Sequence, residues 1–351
     1  MRNFDYSTLM NRTWDNEILS YVAQIHEYKG RQELYIKQKP VELYRLIEVA
    51  KIQSTEASNR IEGIVTTSAR LKQIMEDKTA PRNRDEKEIL GYRNALNIIH
   101  ENHDYISVNP NYILQLHGEL LKYTAFSYGG VFKTTPNEIA KTFSDGNREI
   151  IFKPLDPYET PDAVERLCAE YQQAIEKGVV DALILIPCFI LDFLCIHPFN
   201  DGNGRMSRLL TLLLLYKSGY MVGKYVSIEK EIADTKECYY EALALADRDW
   251  IHEKNDPKAF IKYMLGIILS CYREFESRIR VARDRGVKST SYDIVKEYAV
   301  NKIGTFTKVD ALTGCPSLGS SSVEAALKRL VSEGIIEKIG AGRKTHYVRK
   351  N

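Results

Sequence analysis

The sequence lacks most of the features that predict insertion into a membrane or binding to a polyanion. Its 351 residues carry a formal net charge of only +2, so the charge of the whole chain gives no argument for binding nucleic acid or a lipid surface. Residues 1–5 contain no apolar signal-peptide core, and the apolar runs further along are shorter than a membrane-spanning helix. We therefore expect a cytoplasmic protein that has no membrane partner.

The cysteines are few and lack the spacing of a zinc site or a disulfide framework. None of them forms a CxxC pair, and several lie inside apolar helical patterns. We expect them to be small buried hydrophobic residues of a reducing compartment. The six are Cys168, Cys188, Cys195, Cys238, Cys271 and Cys315.

The usual glycine fingerprints of nucleotide-binding proteins are also missing. No Walker P-loop or Rossmann glycine pattern follows a predicted strand, and the spacing of Gly202, Gly204 and Ser207 is not one because a buried helix is predicted before it. The sequence shows no internal repeat and no long low-complexity tract. Its length predicts two to three domains, and 44% hydrophobic residues suffice for real cores.

The most informative stretch is residues 197–208, which read His-Pro-Phe-Asn-Asp-Gly-Asn-Gly-Arg-Met-Ser-Arg. The imidazole of His197 can accept a proton near neutral pH. The carboxylate of Asp201 suits Mg²⁺, which prefers oxygen ligands and keeps phosphate oxygens and water in its shell. Gly202 and Gly204 can adopt backbone angles that aim consecutive N–H groups at an anion. Together these groups are the parts that a nucleoside triphosphate with its metal ion requires.

The residues around this stretch favour a helix-loop-helix inserted into a core. Residues 182–196 and 209–216 are strongly apolar and predict two buried helices. A helix that starts at Gly204 or Arg205 would add its N-terminal dipole to the anion site. Arg205 and Arg208 would share one face of that helix, where both could bind phosphate.

This run resembles the signature of the Fic (filamentation induced by cAMP) family, H-x-F-x-D/E-G-N-G-R-x-x-R, and matches every fixed position. Fic enzymes mostly transfer the AMP part of ATP to a hydroxyl side chain, of Tyr, Ser or Thr, on a target protein. The resemblance implies that His197 is the general base that deprotonates this hydroxyl. It also implies that Asp201 holds Mg²⁺, or Mn²⁺ in its place, on the α- and β-phosphates, and that Phe199 anchors the loop in the core.

The same resemblance assigns the remaining fixed residues to the phosphates of ATP. Gly202, Asn203 and Gly204 would form the anion hole. Arg205 would bind the leaving phosphates, and Arg208 would meet the γ-phosphate.

A second match lies far upstream, in residues 58–63. Ser58 and Glu62 are four residues apart and hence on one helix face, and Gly63 is typical of a helix end. The segment resembles the inhibitory motif S/T-x-x-x-E-G/N of one class of Fic proteins. The resemblance implies that Glu62 pairs with Arg208 and blocks the γ-phosphate position. Taken without the core motif, a Ser–Glu pair of this spacing is also common on a solvent-exposed helix face.

Residues 129–133 and 147–154 flank a turn-rich segment in which Asp145 and Gly146 predict a tight turn. The region resembles the flap of Fic proteins, a hairpin whose edge pairs with the target backbone. The alternative is an ordinary surface loop. The residues that we expect to contact the target are Glu149, Ile150, Ile151 and Phe152. The family often has arginine at the position of Lys133.

Three residues are candidates for the adenine side of the nucleotide. Tyr239 and Tyr240 resemble the paired tyrosines of a Fic helix near the base, and an aromatic ring can stack on a base of any identity. The alternative is that both are half-buried helix residues. Some relatives have asparagine at the position of Asp247; a carboxylate can accept from the adenine amino group but cannot donate to a ring nitrogen.

The predicted fold class is mainly α: a Fic-type helical bundle with a β-hairpin flap, followed by a small winged helix-turn-helix domain. Residues 1–100 are predicted to form an N-terminal helical region with the inhibitory helix, residues 101–286 the catalytic core and residues 287–351 the winged helix-like domain. The clearest helical patterns cover residues 17–29, 40–56, 82–100, 109–121, 161–177, 182–196 and 257–285, beside the motif helix to Leu215 and the helix of the paired tyrosines.

The C-terminal region predicts three helices and then two short strands. Residues 292–301, 307–313 and 320–333 show helical patterns, and residues 334–339 and 345–348 show strand patterns around a Gly-Ala-Gly turn. This order resembles a winged helix-turn-helix domain.

Whether that region binds DNA is a separate question. The strands carry positive charge that suits phosphate contacts, from Lys338, Arg343, Lys344, Arg349 and Lys350. The third helix, by contrast, begins with serine and alanine and is poor in the side chains that read bases. Contact with protein, including a homo-oligomer, is therefore an alternative that the sequence supports at least as well.

Two classes of function follow from the sequence. The first is an autoinhibited protein adenylyltransferase that uses ATP and Mg²⁺ and modifies a target protein or itself. Removal of AMP from the modified target is a second reaction that such an enzyme could catalyse. The alternative is a DNA-binding transcriptional regulator whose Fic core senses a nucleotide. The intact His197, Asp201 and Arg208 favour the enzyme.

Overall fold

The structure is a computed structural model, and it describes residues 3–38, 40–126, 128–142, 148–283, 290–302, 304–342 and 345–350. The fold is mainly α, which confirms the predicted class. Helices account for nearly all of the regular structure described, and the strands form two separate two-stranded sheets.

The first third of the chain consists of five helices. They are α1 (Asn16–Gln38), α2 (Pro40–Ile61), α3 (Ser68–Met75), α4 (Arg84–Asn102) and α5 (Pro110–Leu121). The side chains of Thr67, Asn83 and Asn109 accept hydrogen bonds from the first turns of α3, α4 and α5, which fixes where each begins. The short helix α3 was not predicted. The other four helices agree with their predicted segments to within a few residues at most ends, although α1 and α2 extend further.

Six more helices form the middle of the chain. They are α6 (Thr160–Lys177), α7 (Ala182–Ile196), α8 (Asn203–Lys217), α9 (Ile228–Asp234), α10 (Lys236–Ala246) and α11 (Lys258–Arg283). Helices α7 and α8 pack against each other, and nearly all of their residues are buried. The predicted helix-loop-helix within the core is therefore present, with residues 197–202 as its loop.

The strands before residue 290 form a hairpin. β1 (Ile139–Thr142) pairs antiparallel with β2 (Arg148–Phe152), with Ala140 opposite Ile150 and an irregularity between Ile139 and Ala140. The predicted turn at Asp145 and Gly146 lies outside the described residues.

The chain folds as two compact units. One comprises Met1–Gln32 and Ala50–Cys271, and the other comprises Glu33–Val49 and Tyr272–Asn351. The three-part division drawn from the sequence, with boundaries near residues 100 and 286, stays a prediction.

The C-terminal elements of the second unit follow the predicted order. They are α12 (Ser291–Asn301), α13 (Lys308–Gly314), α14 (Ser320–Ser332), β3 (Ile336–Ile339) and β4 (His346–Arg349), with β3 antiparallel to β4. Reciprocal side-chain caps begin two helices, Thr290 with Asp293 on α12 and Thr307 with Asp310 on α13. A buried apolar cluster that includes Phe306 joins the three helices to the ribbon.

The basic side chains of α14, and Lys308 on α13, lie next to acidic side chains of α14 and its C-terminal end. Lys308 and Lys328 both reach Glu324, at 2.6 and 3.2 Å, and Arg329 lies 2.7 Å from Glu333. Arg349 of the ribbon donates to the carbonyl of Val300. Two of the predicted basic residues, Arg343 and Lys344, lie outside the described residues.

Among the residues described, no helix combines the length and the apolar character needed to cross a membrane. All six cysteines are free thiols, and only Cys238 is exposed, so burial is confirmed for the other five.

Helices α4 and α5 approach each other closely at Gly91. A Cβ on Gly91 would lie 2.0 Å from the carbonyl oxygen of Leu120 on α5, a distance that only a shift of backbone could relieve. Gly30, within α1, has no atom within 4 Å of the same position. The two glycines therefore allow a matched test of close packing.

We expect Gly91→Ala to destabilise the protein by about 1–3 kcal/mol because the added methyl group forces α4 away from α5. Gly30→Ala should instead raise the free energy of unfolding by about 0.5–1 kcal/mol, since alanine is the better helix former. Urea unfolding followed by circular dichroism measures both. Equal effects of the two substitutions would contradict the close crossing.

Candidate active site

His197 ends helix α7 in a left-handed conformation, with φ +51°. Its backbone N–H bonds to the carbonyl of Phe193 at 3.0 Å, and Pro198 then prevents the helix from continuing. The ring Nδ1 lies 3.3 Å from the carbonyl oxygen of Leu194. Because a carbonyl oxygen only accepts, we assign the hydrogen to Nδ1, which leaves the lone pair of Nε2 free to take a proton.

The surroundings of His197 keep its imidazole neutral. Burial lowers the pKa of His197 to about 4, and the positive charge of Lys133 acts in the same direction. A neutral ring at physiological pH is the form that a general base needs.

Lys133 holds the peptide on both sides of His197. Its backbone N–H donates to the carbonyl of Pro198 at 2.8 Å, and its Nζ donates to the carbonyl of Ile196 and to Oδ1 of Asn137, both at 3.0 Å. The side chain is buried, which lowers the pKa of Lys133 to about 8. Lys133 thus supports the end of α7 through its ammonium group.

The loop after His197 is closed by a side-chain amide. Asn203 accepts from the N–H of Phe199 at 2.9 Å and donates to the carbonyl of Phe199 at 2.7 Å. Both residues are buried, and Phe199 has no exposed surface. The amide of Asn203 therefore shapes the loop, and only its backbone N–H remains for an anion.

His117 on α5 supports the same loop and was missed by the sequence analysis. Its ring stacks on Phe199 at 3.7 Å between centroids, and Nδ1 accepts from the N–H of Gly130 at 3.0 Å. Nε2 must then carry the hydrogen, which it donates to the carbonyl of Asp201, also at 3.0 Å. Burial lowers the pKa of His117 to about 4. No local pattern in the sequence distinguishes this histidine from any other buried one.

Helix α8 begins with an anion-binding geometry. Gly202 is its N-cap with φ +83°, and no side chain among the described residues caps it. The first N–H groups of a helix have no acceptor within the helix, and the helix dipole places partial positive charge there. The predicted anion site, formed by the backbone of Gly202, Asn203 and Gly204, therefore has the required shape.

Asp201 lies beside this helix end. Its Oδ1 accepts from the N–H of Gly202 at 2.6 Å, and its side chain is 37% exposed. Among the described residues no cluster of three or more His, Cys, Asp or Glu could hold a metal ion. A single accessible carboxylate fits Mg²⁺ that is held mainly by phosphate oxygens and water.

Arg205 is buried and already paired. Its Nη1 donates to Oε2 of Glu88 on α4 at 2.7 Å, and Nη2 lies 3.4 Å from Oδ1 of Asp201. Glu88 also accepts from Nε of Arg84 at 2.7 Å. Glu88 was missed by the sequence analysis, although it determines where the guanidinium of Arg205 points.

Arg208 meets the predicted inhibitory motif directly. Nε donates to Oγ of Ser58 at 2.8 Å, and Nη2 donates to the carbonyl of Ser58 at 3.0 Å and to Oε1 of Glu62 at 2.7 Å. Burial alone would raise the pKa of Glu62, but the guanidinium of Arg208 outweighs it and holds the pKa below its ordinary value. The pair is therefore ionised at neutral pH.

Glu62 also lies over the start of α8. A Cβ on Gly204 would be 2.4 Å from Oε1 of Glu62, so only glycine admits the carboxylate at this point. Gly63 follows with φ +80°, and the N–H of Ile64 bonds to the carbonyl of Asn59, which ends α2. The carboxylate thus lies next to the N-terminal turn of α8, beside the predicted anion site.

Buried hydrogen bonds hold the end of α2 in place. Oγ of Ser54 donates to Glu229 at 2.7 Å, and the hydroxyl of Tyr92 donates to the same carboxylate at 2.9 Å. Nζ of Lys236 donates to the carbonyl of Ile61 at 2.7 Å. These contacts fix the helix that carries Glu62.

The three residues predicted for the adenine side have different surroundings. Tyr239 is buried and packs against Phe260 and Tyr263, at 5.9 and 5.7 Å between ring centroids, so its ring is part of the core. Tyr240 is 46% exposed, and Asp247 is half-buried at the end of α10. Tyr240 and Asp247 are therefore accessible to solvent and Tyr239 is not, and the contact of any of the three with a base stays a prediction.

Of the predicted flap residues, two are exposed and Phe152 is half-buried. Ile150 and Ile151 are each 53% exposed, and the ring of Phe152 lies 6.4 Å from that of Trp250. The side chain of Glu149 lies outside the described residues. Within the described residues β2 pairs only with β1, which leaves its other edge without a strand.

Comparisons with known proteins agree with this geometry. The model of the Fic/DOC family matches residues 107–215. A Fido domain-containing protein of Dictyostelium discoideum is 29% identical over 144 residues, which are 39% of this chain and 96% of that protein. A protein adenylyltransferase Fic of Culex quinquefasciatus is 25% identical over 232 residues, 63% of this chain but only 41% of that protein's length.

The fold also resembles a solved structure over nearly its whole length. A Fic family protein from Desulfovibrio desulfuricans has a TM-score of 0.62 to this chain, covers 97% of it and 98% of its own length, and is 22% identical. This likeness concerns the fold.

The buried histidines predict a pH dependence of stability. His117 has a pKa of about 4 in the folded chain and about 6.5 when unfolded. The unfolded chain therefore binds the extra proton between these values, so stability falls as pH falls from 6.5 to 4, by about 1.4 kcal/mol per pH unit. We expect His117→Gln to reduce the slope by roughly this amount.

Urea unfolding at pH 6.5, 5.5 and 4.5 measures the slope. His252→Gln is the matched control because His252 is exposed, and it should leave the slope of the wild type unchanged. An unaltered slope in His117→Gln would mean that folding does not lower the pKa of His117.

Proposed function

We propose that this chain, which contains a Fic/DOC family domain, is a protein adenylyltransferase that its own Glu62 holds in an inhibited state. One observation carries the proposal. The free Nε2 of His197, the carboxylate of Asp201 and the N-terminus of α8 surround one loop, and the Arg208 guanidinium next to them is already occupied by a carboxylate.

In the proposed reaction His197 is the general base. The hydroxyl oxygen of the target side chain attacks the α-phosphorus of ATP, and its proton moves to Nε2 of His197. The bond between the α-phosphorus and the oxygen bridging to the β-phosphorus breaks, and diphosphate leaves. The product is a phosphodiester that joins AMP to the target side chain.

The phosphates would lie against the N-terminus of α8. The backbone N–H groups of Asn203 and Gly204 and the dipole of the helix supply positive potential there without a mobile side chain. Asp201 would hold the magnesium ion, which when bound neutralises charge on the phosphates. Arg205, oriented by Glu88, would lie beside the diphosphate.

Glu62 would inhibit by occupying the place of the γ-phosphate. Its carboxylate is an anion with acceptor oxygens, as a phosphate group is, and it contacts Arg208 and lies close to Gly204. ATP would have to displace it, and a nucleotide that cannot reach Arg208 lies out of line for attack on the α-phosphorus.

The target protein would bind at the outer edge of β2. Main-chain hydrogen bonds to this edge would align an extended segment without demanding a particular sequence, and Ile150 and Ile151 offer exposed apolar surface. The DNA-binding alternative has weaker support, since Lys328 and Arg329 of α14 are paired with Glu324 and Glu333.

Mass spectrometry tests the proposed reaction. Purified protein with Glu62→Gly, incubated with ATP and Mg²⁺ in the presence of a cell lysate, should add the mass of one AMP to itself or to a lysate protein. Absence of any such adduct would reject adenylyl transfer.

His197→Ala, made in the Glu62→Gly background, should reduce the rate of AMP transfer by on the order of 10²–10⁴-fold, the usual contribution of a general base. ATP should bind with similar affinity because His197 does not lie in the anion site. Labelling with ATP radioactive at the α-phosphate measures transfer, and calorimetry measures binding. Full activity in this variant would exclude His197 as the base.

Glu62→Ala should raise the rate of labelling by at least about tenfold, since Arg208 would then have only the γ-phosphate as its charged partner. Glu56→Ala is the matched control, an exposed glutamate on the same helix, and should label at the rate of the wild type. Equal labelling by Glu62→Ala and wild type would reject the inhibitory role.

The same substitution separates inhibition from reversal. If Glu62 also positions a water molecule that removes AMP, the wild type should strip label from a pre-labelled target and Glu62→Ala should not. If the wild type leaves the label in place, inhibition is the only role of Glu62.

A further inference from the structure

One exposed face of α10 begins near the ion pair of Glu62 and Arg208 and leads away from it. Lys236, Tyr240, Ala244 and Asp247 follow at helical spacing, and all of them have solvent exposure. Lys236 bonds to the carbonyl of Ile61, next to Glu62. At a rise of about 1.5 Å per residue, Asp247 lies roughly 16 Å along the helix from Lys236. The face therefore has about the length of an extended nucleoside triphosphate.

A cavity of about 560 Å³ lies at the far end of this face. Ile151 and Phe152 of the flap form one wall, and Ala244, Asp247 and Trp250 form another. Its size and its mixture of apolar, aromatic and polar side chains are typical of small-ligand sites. With the phosphates at Arg208, this cavity is where the base of the proposed substrate would lie.

The carboxyl of Asp247 gives this cavity a definite hydrogen-bonding character. An ionised carboxylate has two acceptor oxygens and no donor. The pairing edge of adenine offers one N–H donor beside a ring nitrogen that only accepts, so one of the two contacts is repulsive. The pairing edge of guanine offers two adjacent donors, which a carboxylate can accept as a bidentate pair.

We propose, on the basis of the proposed nucleotidyl transfer, that this cavity holds the nucleobase and that Asp247 selects it, so that GTP competes with ATP as the donor nucleotide at neutral pH. Asp247 would therefore be a specificity-determining residue that contacts the base and takes no part in the transfer step.

The same geometry makes the choice of base depend on pH. Burial raises the pKa of Asp247 to about 6, although the charge of Arg248 opposes this. Above this value the carboxylate accepts only. Below it the protonated group can donate and accept, like an asparagine amide, and suits adenine. The other titratable groups that line the cavity are Lys153, Asp156, Glu159, Arg248, Asp249 and His252.

The test uses the full chain with Glu62→Gly, alone and combined with Asp247→Asn. Calorimetry with ATP and with GTP gives the ratio of their dissociation constants at pH 7.5 and 5.5, and intact mass after incubation with Mg²⁺ gives the AMP and GMP adducts. Asp249→Asn is the matched control, because Asp249 lines the same cavity and its backbone at φ +58° suits asparagine.

We expect Asp247→Asn to shift the ratio toward ATP by at least fivefold at pH 7.5, the order expected for one bidentate base contact. In the Glu62→Gly parent, the ratio should shift in the same direction when the pH is lowered to 5.5. With Asp247→Asn added, the ratio should be the same at both pH values. Asp249→Asn should leave the ratio unchanged. A shift of less than fivefold in Asp247→Asn overturns the inference.

The outcomes separate this inference from the proposed function. A shifted ratio with no adduct supports base selection and rejects nucleotidyl transfer. Adducts with an unmoved ratio retain the transfer and overturn the role of Asp247. If neither nucleotide binds, both are wrong.

Discussion

A guanidinium as deeply buried as that of Arg208 needs an anion beside it, and this requirement organises the site. Leaving a buried charge without a partner is strongly unfavourable, by several kcal/mol. In the structure Glu62 supplies the charge and Ser58 supplies two acceptor oxygens. A terminal phosphate is the natural competitor, since it too offers negative charge and acceptor oxygens. The inhibited state and the proposed active state therefore differ in which anion satisfies one arginine.

Two neutral side chains support the middle of the loop between α7 and α8. Asn203 bonds to both backbone atoms of Phe199, and His117 stacks on Phe199 while it donates to the carbonyl of Asp201. Neither support changes charge at physiological pH, because burial keeps His117 neutral. Asn203 and His117 therefore hold the loop through contacts that a highly charged substrate need not break.

Much of the site could be predicted from residues 197–208. Spacing along the chain determines which side chains share a helix face, so the glycine turn, the start of α8 and the common face of Arg205 and Arg208 followed from the sequence. The end of α2 at Gly63 followed from the need for a left-handed residue there. The apolar runs on either side predicted that the loop would be held in the core. These features depend on neighbours within a few residues, which a sequence pattern records.

The partners of those side chains depended on the tertiary structure. Glu88 lies 117 residues before Arg205, and His117 lies 84 residues before Asp201. Neither belongs to a local pattern, because a single carboxylate or imidazole on an amphipathic helix is common in any chain. The burial of Tyr239 and the exposure of Tyr240 were likewise decided by which face of α10 packs against α11. The sequence by itself determined the chemical groups and their order; the packing of distant helices determined which charges meet, because contacts between remote segments leave no periodic signal in the chain.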